Sequence, residues 1–236
     1  MACCFIMPAA PHLTRTSQFQ ASVAELGMLS PRMRRITLAA PELATVHWPL
    51  GCEIAVVLTG PDGREIRRRY TVRSTAGERL TLDAVLHGHG PGASWAAGLR
   101  IGDLVQFVGP RGEITVAEAD WLLALTDEAG LPAIAALAEA AAPRSVTVFA
   151  EIADDAERYP LPGNAEVRWL CRDGRPAGTT ELMSAALADF RPPDGTGYVY
   201  LLGESRVVSQ LRPELPVHRI ASYVKGYWNL NARPTR

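Results

Sequence analysis

The chain has 236 residues, 47% of them hydrophobic, with 24 Lys and Arg against 25 Asp and Glu and a formal net charge of −1. That length supports one large domain or two modest ones around a real core, and the charge balance argues against wholesale nucleic-acid binding, which needs a broadly basic surface. No run approaches the ~18–20 apolar residues of a membrane span, and the four cysteines, Cys3, Cys4, Cys52 and Cys171, have neither disulfide-framework nor zinc-ligand spacing, as in a reducing cytoplasm.

Residues 1–16 are apolar but short, lack a basic stretch and are interrupted by Pro8 and Pro11, so they read as a lead-in and not as a signal peptide. From residue 17 to 118 the pattern is one of short strands separated by turn signals. Strands are predicted over 19–26, 34–39, 53–58, 69–73, 80–86 and 104–108, with Gly60-Pro61-Asp62-Gly63 and Gly109-Pro110-Arg111-Gly112 as turns. That spacing predicts a small antiparallel barrel. A glycine-rich loop running into a short helix, 90–97, interrupts it and exposes backbone N–H groups that suit an anion.

The period changes after Trp121. A continuous apolar run at 121–126 and further strand-type segments at 145–150, 165–170, 198–202 and 219–224 alternate with helical patterns at 131–142, 179–190 and 205–215. Alternating strands and helices predict a parallel sheet covered by helices over residues 119–236. The fold class is therefore an antiparallel β-barrel followed by a parallel α/β domain.

One stretch stands apart. Arg67-Arg68-Arg69-Tyr70-Thr71-Val72-Arg73 puts four arginines, a ring and a hydroxyl into seven residues of strand-type sequence. Alternation places Arg68, Tyr70 and Val72 on one face, and Arg67, Arg69, Thr71 and Arg73 on the other. An arginine fork suits a phosphate and a ring suits a flat cofactor, so the stretch reads as a flavin nucleotide site; as a plain strand it would be a charged edge. His87 and His89 lie two apart in a glycine-rich turn without a third partner, which is a poor metal-ligand set, and no metal is expected.

The chain resembles the siderophore-interacting proteins, FAD-dependent ferric-siderophore reductases of the ferredoxin-reductase type. The resemblance runs from about residue 19 to 228 and rests on motifs in order: Arg68-x-Tyr70-Thr71; Leu86-His87-Gly88 with Gly90-Pro91-Gly92-Ala93-Ser94-Trp95-Ala96; Gly102-Asp103 with Gly109-Pro110-Arg111-Gly112; Asp127-Glu128 with Leu131-Pro132-Ala133-Ile134; Gly203-Glu204; and Gly226-Tyr227-Trp228. It implies that the barrel binds FAD and that the second domain binds NAD(P)H. Arg68 would pair with the pyrophosphate, Tyr70 would lie against the flavin, and Thr71 would hydrogen-bond near N5. Tyr70 and Thr71 are thus the catalytic pair. Val72, Arg73, His87, Gly90, and the amides of Gly92, Ala93 and Ser94 would add cofactor contacts, with Asp127, Glu128 and Glu204 beside the dinucleotide and Trp228 over the flavin. Arg67 and Arg69 would be outer-face cations. Lys225, Arg73 and Arg111 would meet an anionic ferric siderophore. The resemblance implies a cytoplasmic, monomeric reductase with a ferric siderophore as substrate. A ferredoxin-served electron transferase and a non-catalytic flavin module are the alternatives.

Three positions depart from the family pattern. Its GDETA turn reads Thr126-Asp127-Glu128-Ala129-Gly130 here, Asn229-Leu230-Asn231 follows the GYW, and Ser205 follows Gly203-Glu204 where the family has alanine. Glu151 and Asp154, after the second strand of the parallel sheet, suggest a carboxylate for the ribose 2′-hydroxyl of NADH.

Overall fold

The computed structural model describes residues 17–60, 62–86, 90–215 and 220–230. Strands β1 (Ser17–Ser30), β2 (Met33–Ala39), β3 (Glu53–Thr59), β4 (Glu65–Ala76), β5 (Arg79–Val85) and β6 (Leu104–Arg111) close into a barrel in the order β1-β2-β5-β4-β3-β6. Every neighbouring pair is antiparallel. The alternating apolar positions fill the interior: Ile36, Leu38, Ile54, Val56, Leu80, Leu82 and Phe107 are fully buried. Helix α1 (Pro91–Gly98) leaves the barrel wall, with Pro91 in its first turn, where a missing N–H costs nothing. The guanidinium of Arg34 donates to the carbonyls of Ala96, Ala97 and Leu99 and so satisfies the end of this helix with a positive charge.

The second half is a five-stranded parallel sheet of β7 (Trp121–Asp127), β8 (Val146–Ile152), β9 (Ala165–Cys171), β10 (Gly197–Glu204) and β11 (Ile220–Trp228), in the order β11-β10-β7-β8-β9. Helix α2 (Leu131–Ala141) covers one face, over Leu122, Ala124, Val148 and Tyr200. Helices α3 (Glu181–Asp189) and α4 (Ser205–Leu211) cover the other, over Leu123, Leu125, Val199 and Leu201. Coverage on both faces is why β7, β8 and β10 are almost wholly buried, while the edge strand β9 alternates and exposes Glu166 and Arg168. The chain leaves β7 for β8 on one side and later returns to β10 on the other. The crevice between the carboxyl ends of β7 and β10 is therefore the switch point where α/β sheets bind ligands. Among the described residues, no helix is long and apolar enough to cross a membrane.

The two halves are joined by packing and by polar links. Met33 and Ile114 belong to the same buried cluster as α2 and β8. Ser30 donates to Glu157 at 2.5 Å, and the Arg32 amide donates to the same carboxylate at 3.1 Å. Arg35 grips Asp83 through two bonds of 2.7 Å, and Tyr159 donates to the same carboxylate from the other side. The connecting segment is held by Tyr200, whose hydroxyl accepts from the Ala117 amide and donates to the Thr115 carbonyl, both at 2.8 Å. Tyr200→Phe leaves both backbone groups without this partner and is expected to lower stability by about 2 kcal/mol. Urea unfolding measures it; an unchanged midpoint would show that water replaces the hydroxyl.

Candidate functional site

The arginine-rich run forms the middle of β4. Arg67 and Arg69 are exposed, Arg68 and Tyr70 are half-buried, and Thr71 and Val72 are buried. Tyr70 donates to the carbonyl of Gly92 at 3.1 Å, and its ring lies 5.2 Å from that of Trp95. Burial, by far the larger cause, pushes the Tyr70 hydroxyl well above the usual tyrosine range, with Arg68 pulling the other way, so it remains protonated and a donor. A Cβ at Gly92 would meet Tyr70 Oη at 2.8 Å and Arg68 Cγ at 3.2 Å. Only glycine lets the loop lie this close over both side chains.

Arg68 donates to the Arg67 carbonyl, and among the described residues no carboxylate pairs with it. Facing it is the first turn of α1, whose N-cap Gly90 offers no side-chain cap. The amides of Gly92 and Ala93 have no intrahelical acceptor. The Ser94 amide does, since it donates to the Gly90 carbonyl at 3.0 Å. That corrects one expectation: Ser94 has a hydroxyl to offer and not its amide, because position four of a helix already closes the first turn. A guanidinium without a carboxylate, two amides at a helix start and a ring form a cradle that fits a pyrophosphate and a flat ring system. His87 lies outside the described residues, as does His89.

The hydroxyls of Thr71 and, on β11, of Tyr227 are buried beside each other. Arg73 turns away from both. Its Nη1 and Nη2 donate to the two carboxylate oxygens of Glu139 on α2, at 2.8 and 2.5 Å. Its role as a cofactor or substrate contact is thus displaced by an ion pair between the two halves of the molecule. Lys225 pairs with Glu53 at 3.0 Å, and Glu53 lies across the ladder from both Thr71 and Arg111. Arg67, Arg69, Arg111 and Glu53 line a 290 Å³ trough along this outer barrel face. Sequence reasoning set Arg67 and Arg69 aside as surface cations. The ladder register, which aligns Arg69 with Ala55, brings them beside Arg111.

At the switch point, the acidic residues bond to each other's elements. Asp127 accepts from Trp228 Nε1 at 2.7 Å and from the amides of Glu204 and Ala129 at 2.9 Å. Burial nevertheless pushes its carboxyl up to about 6. Glu204 caps α4 through the Arg206 and Val207 amides and accepts from the Leu230 amide at 3.1 Å. Trp228, expected over the flavin, points instead at the end of β7. Glu128 and Glu151 both bind Arg172, at 2.5 and 3.2 Å, so Glu151 is not a free carboxylate for a ribose. Asp154 accepts from the Ala156 amide and starts a 3-10 turn. Beside them lies a 420 Å³ cavity lined by Arg32, Glu128, Arg172, Arg175, Trp228 and Leu230. Among the described residues, no group of three or more His, Cys, Asp or Glu side chains could hold a metal ion.

The departure at the 126–130 turn is compensated. A Cβ at Gly130 would lie 2.2 Å from Thr126 Oγ1 and 2.9 Å from Leu202 Cβ. Thr126 in place of glycine is possible because Gly130 stands in place of alanine; bulk has moved from the end of the turn to its start. Gly130→Ala is expected to cost about 2 kcal/mol by overpacking, and Thr126→Ala in the same chain recovers about half of it, read as the coupling in a double-mutant cycle of urea unfolding. Additive losses would break the pairing of the two positions.

Comparison with known proteins agrees with the fold. A family model described as a siderophore-interacting FAD-binding domain matches residues 53–114, and one described as siderophore-interacting protein matches residues 119–231. An uncharacterized protein of Mycobacterium tuberculosis is 35% identical over 181 residues, 68% of this chain and 64% of that protein, so the match spans less than two thirds of its length. The crystal structure of a siderophore utilization protein from T. fusca superposes with a TM-score of 0.82 at 31% identity, over 94% of this chain and 96% of that one. The siderophore-interacting protein of Aeromonas hydrophila shares the fold, with a TM-score of 0.75 at 24% identity, over 92% of this chain and 94% of that one.

Proposed function

The chain belongs to the siderophore-interacting protein family, and from that premise we propose that it is an FAD-dependent reductase that draws electrons from NAD(P)H and releases iron from ferric siderophores. The observation that carries this reading is the cradle of β4 and α1: Tyr70 bonded to Gly92, Arg68 without a carboxylate, and an uncapped helix start. FAD bound there supplies hydride acceptance and one-electron transfer, chemistry that no side chain of the protein has. Arg68 and the Gly92 and Ala93 amides would hold the pyrophosphate, the Tyr70 ring would offer a face to the ring system, and the Thr71 hydroxyl would be the polar group nearest the reactive edge.

Arg69, Arg111 and Lys225 give the outer barrel face a cationic approach that suits an anionic ferric chelate. Reduction releases the metal because hard oxygen donors hold Fe(III) far more tightly than the larger, less charged Fe(II). On the donor side, the 420 Å³ cavity carries Arg32, Arg172 and Arg175, while Glu151 is engaged by Arg172. Arg172 is itself held by Glu128 and Glu151 and Arg32 by Glu157, so Arg175, which among the described residues bonds only to backbone carbonyls, is the cation that supports the phosphorylated cofactor NADPH over NADH. A second reading, with ferredoxin as donor, is favoured by Leu230, which lies 3.2 Å from where a Cβ of Gly178 would be and so narrows the switch-point crevice that Gly178 lines.

The deciding experiment is anaerobic bleaching of the flavin-loaded protein by NADPH, NADH or reduced ferredoxin, with a ferric siderophore and a ferrous chelator present. Bleaching by NADPH with ferrous product is expected. Bleaching by ferredoxin alone moves the assignment to the second reading, and no bleaching by any donor defeats the reductase.

A further inference from the structure

We propose that Tyr159 is a positioning residue for electron transfer between the two halves: its hydroxyl ties strand β4 to two walls of the donor cavity and so fixes the distance between them. This rests on the reductase reading above and concerns side chains that touch neither cofactor nor substrate.

The junction is built from both sides. On the barrel, Arg35 and Asp83 stand opposite each other on the β2–β5 ladder and form a two-bond pair. On β4, Val72 pairs with Leu82 and Ser74 with Thr81, so Arg73 is the extra residue of a bulge. A bulge re-aims a side chain, and this one sends Arg73 across the boundary to Glu139 of α2. Tyr159, 3% exposed, comes from the second half and donates to Asp83, itself 5% exposed. Burial, followed by Asp83, pushes the Tyr159 hydroxyl far above the usual tyrosine range. Arg73 and Arg35 pull the other way, which puts both guanidiniums beside it. One hydroxyl thus stands among two arginines and a carboxylate, and β2, β4, β5, α2 and the segment after β8 all meet there.

What these elements carry gives the junction its role. Strand β4 holds Arg68, Tyr70 and Thr71, and Arg73 follows two residues on. The 420 Å³ cavity is lined by Glu128 and Ala129, which lead into α2, and by Ala153 and Asp154, which open the segment that ends at Tyr159. Glu157 pins that segment a second time, accepting from Ser30 and from the Arg32 amide. Donor cavity and flavin strand therefore belong to different halves and share one buried polar junction. Satisfied polar networks make the elements they join rigid, whereas apolar faces can slide past each other. Electron transfer needs the rigid case, since a misplacement of about 1 Å costs about a hundredfold in rate.

The test compares wild type, Tyr159→Phe, which keeps the ring in the core, and Glu139→Gln at the exposed end of the junction. Bleaching of the flavin-loaded proteins by NADPH and by dithionite is timed, and hydrogen exchange is followed in the flavin-free proteins. In Tyr159→Phe, bleaching at saturating NADPH is expected to slow about tenfold. The NADPH concentration for half-maximal rate, the flavin content and the dithionite rate stay at wild-type values. Glu139→Gln slows the same step about threefold. Without flavin, exchange in Tyr159→Phe rises over 153–159 and in the first turn of α2, while the strands of both sheets keep their protection. An unchanged NADPH rate or an unchanged exchange pattern would show that packing alone sets the two halves. Equal slowing with NADPH and dithionite would show that the hydroxyl merely supports the barrel. Either result overturns the proposal, and if Tyr159→Phe does not fold, Glu139→Gln decides by the same split. A wild-type protein that dithionite bleaches and NADPH does not defeats the NADPH reading, and this proposal with it, before any variant is compared.

Discussion

Replacing Arg68 and Tyr70 together by alanine is expected to yield a colourless protein. Among the described residues no carboxylate engages the Arg68 guanidinium of the cradle, and a charge-assisted bond to phosphate contributes about 1.5–3 kcal/mol. The Tyr70 ring adds a stacking face of about 0.5–1.5 kcal/mol beyond the area it buries. Together these predict a loss of about a hundredfold or more in FAD affinity, measured by flavin content after purification and by titration of the flavin-free protein. Tyr70→Phe separates the ring from its hydroxyl. It keeps the stacking face but releases the Gly92 carbonyl, so the loop drifts and affinity falls about tenfold. A double variant that stays yellow at the wild-type ratio would place the cofactor elsewhere.

Arg172→Met is expected to be the most destabilising single change in the second half of the chain. It strands two carboxylates, Glu128 and Glu151, of which Glu151 is 4% exposed. Removing one partner from a buried ionic cluster costs about 3–5 kcal/mol. The loss has a pH signature. Burial, against the pull of Arg172, already raises the Glu151 carboxyl to about 7, above its unfolded value, and Asp127 is raised in the same direction. A raised acid binds its proton more tightly in the folded state. Its contribution to stability is therefore fully present below the ordinary carboxyl range and is lost as pH rises through about 7. Without Arg172 the carboxyl rises further, so the variant recovers much of its stability on acidification from pH 8 to pH 5.5. Chemical denaturation at the two pH values measures this, and an equal loss at both would show that Arg172 acts through packing alone. The variant should also lose NADPH-dependent bleaching, whereas bleaching by dithionite persists, because the barrel is untouched.

The barrel and the sheet were both legible because their residue periods differ. Alternation at 80–86 marked a half-covered strand, and the unbroken run 121–126 marked one covered on both faces. The ends were less legible. β4 extends from Glu65 to Ala76, well past the predicted 69–73, because ladder bonds to β3 and β5 carry polar residues that local propensity does not favour. The cradle was legible as Arg68, Tyr70 and a glycine loop. That Tyr70 reaches Gly92 required the fold, since 22 positions separate them.

The sequence by itself determined the two halves, their order, and the chemistry of the arginine-rich strand, because strand period, turn residues and a clustered charge are local properties of the chain. Only the tertiary structure decided which groups stay free. Arg73, Asp127, Glu128, Glu151 and Glu204 are all polar residues near the expected site, and each meets a partner brought from elsewhere in the chain. Arg68 meets no carboxylate among the described residues, and the hydroxyls of Thr71 and Tyr227 are buried beside each other. A side chain can bind a ligand only with atoms that the fold has not already paired, and pairing between distant residues is set by strand register and domain packing, which no local pattern contains.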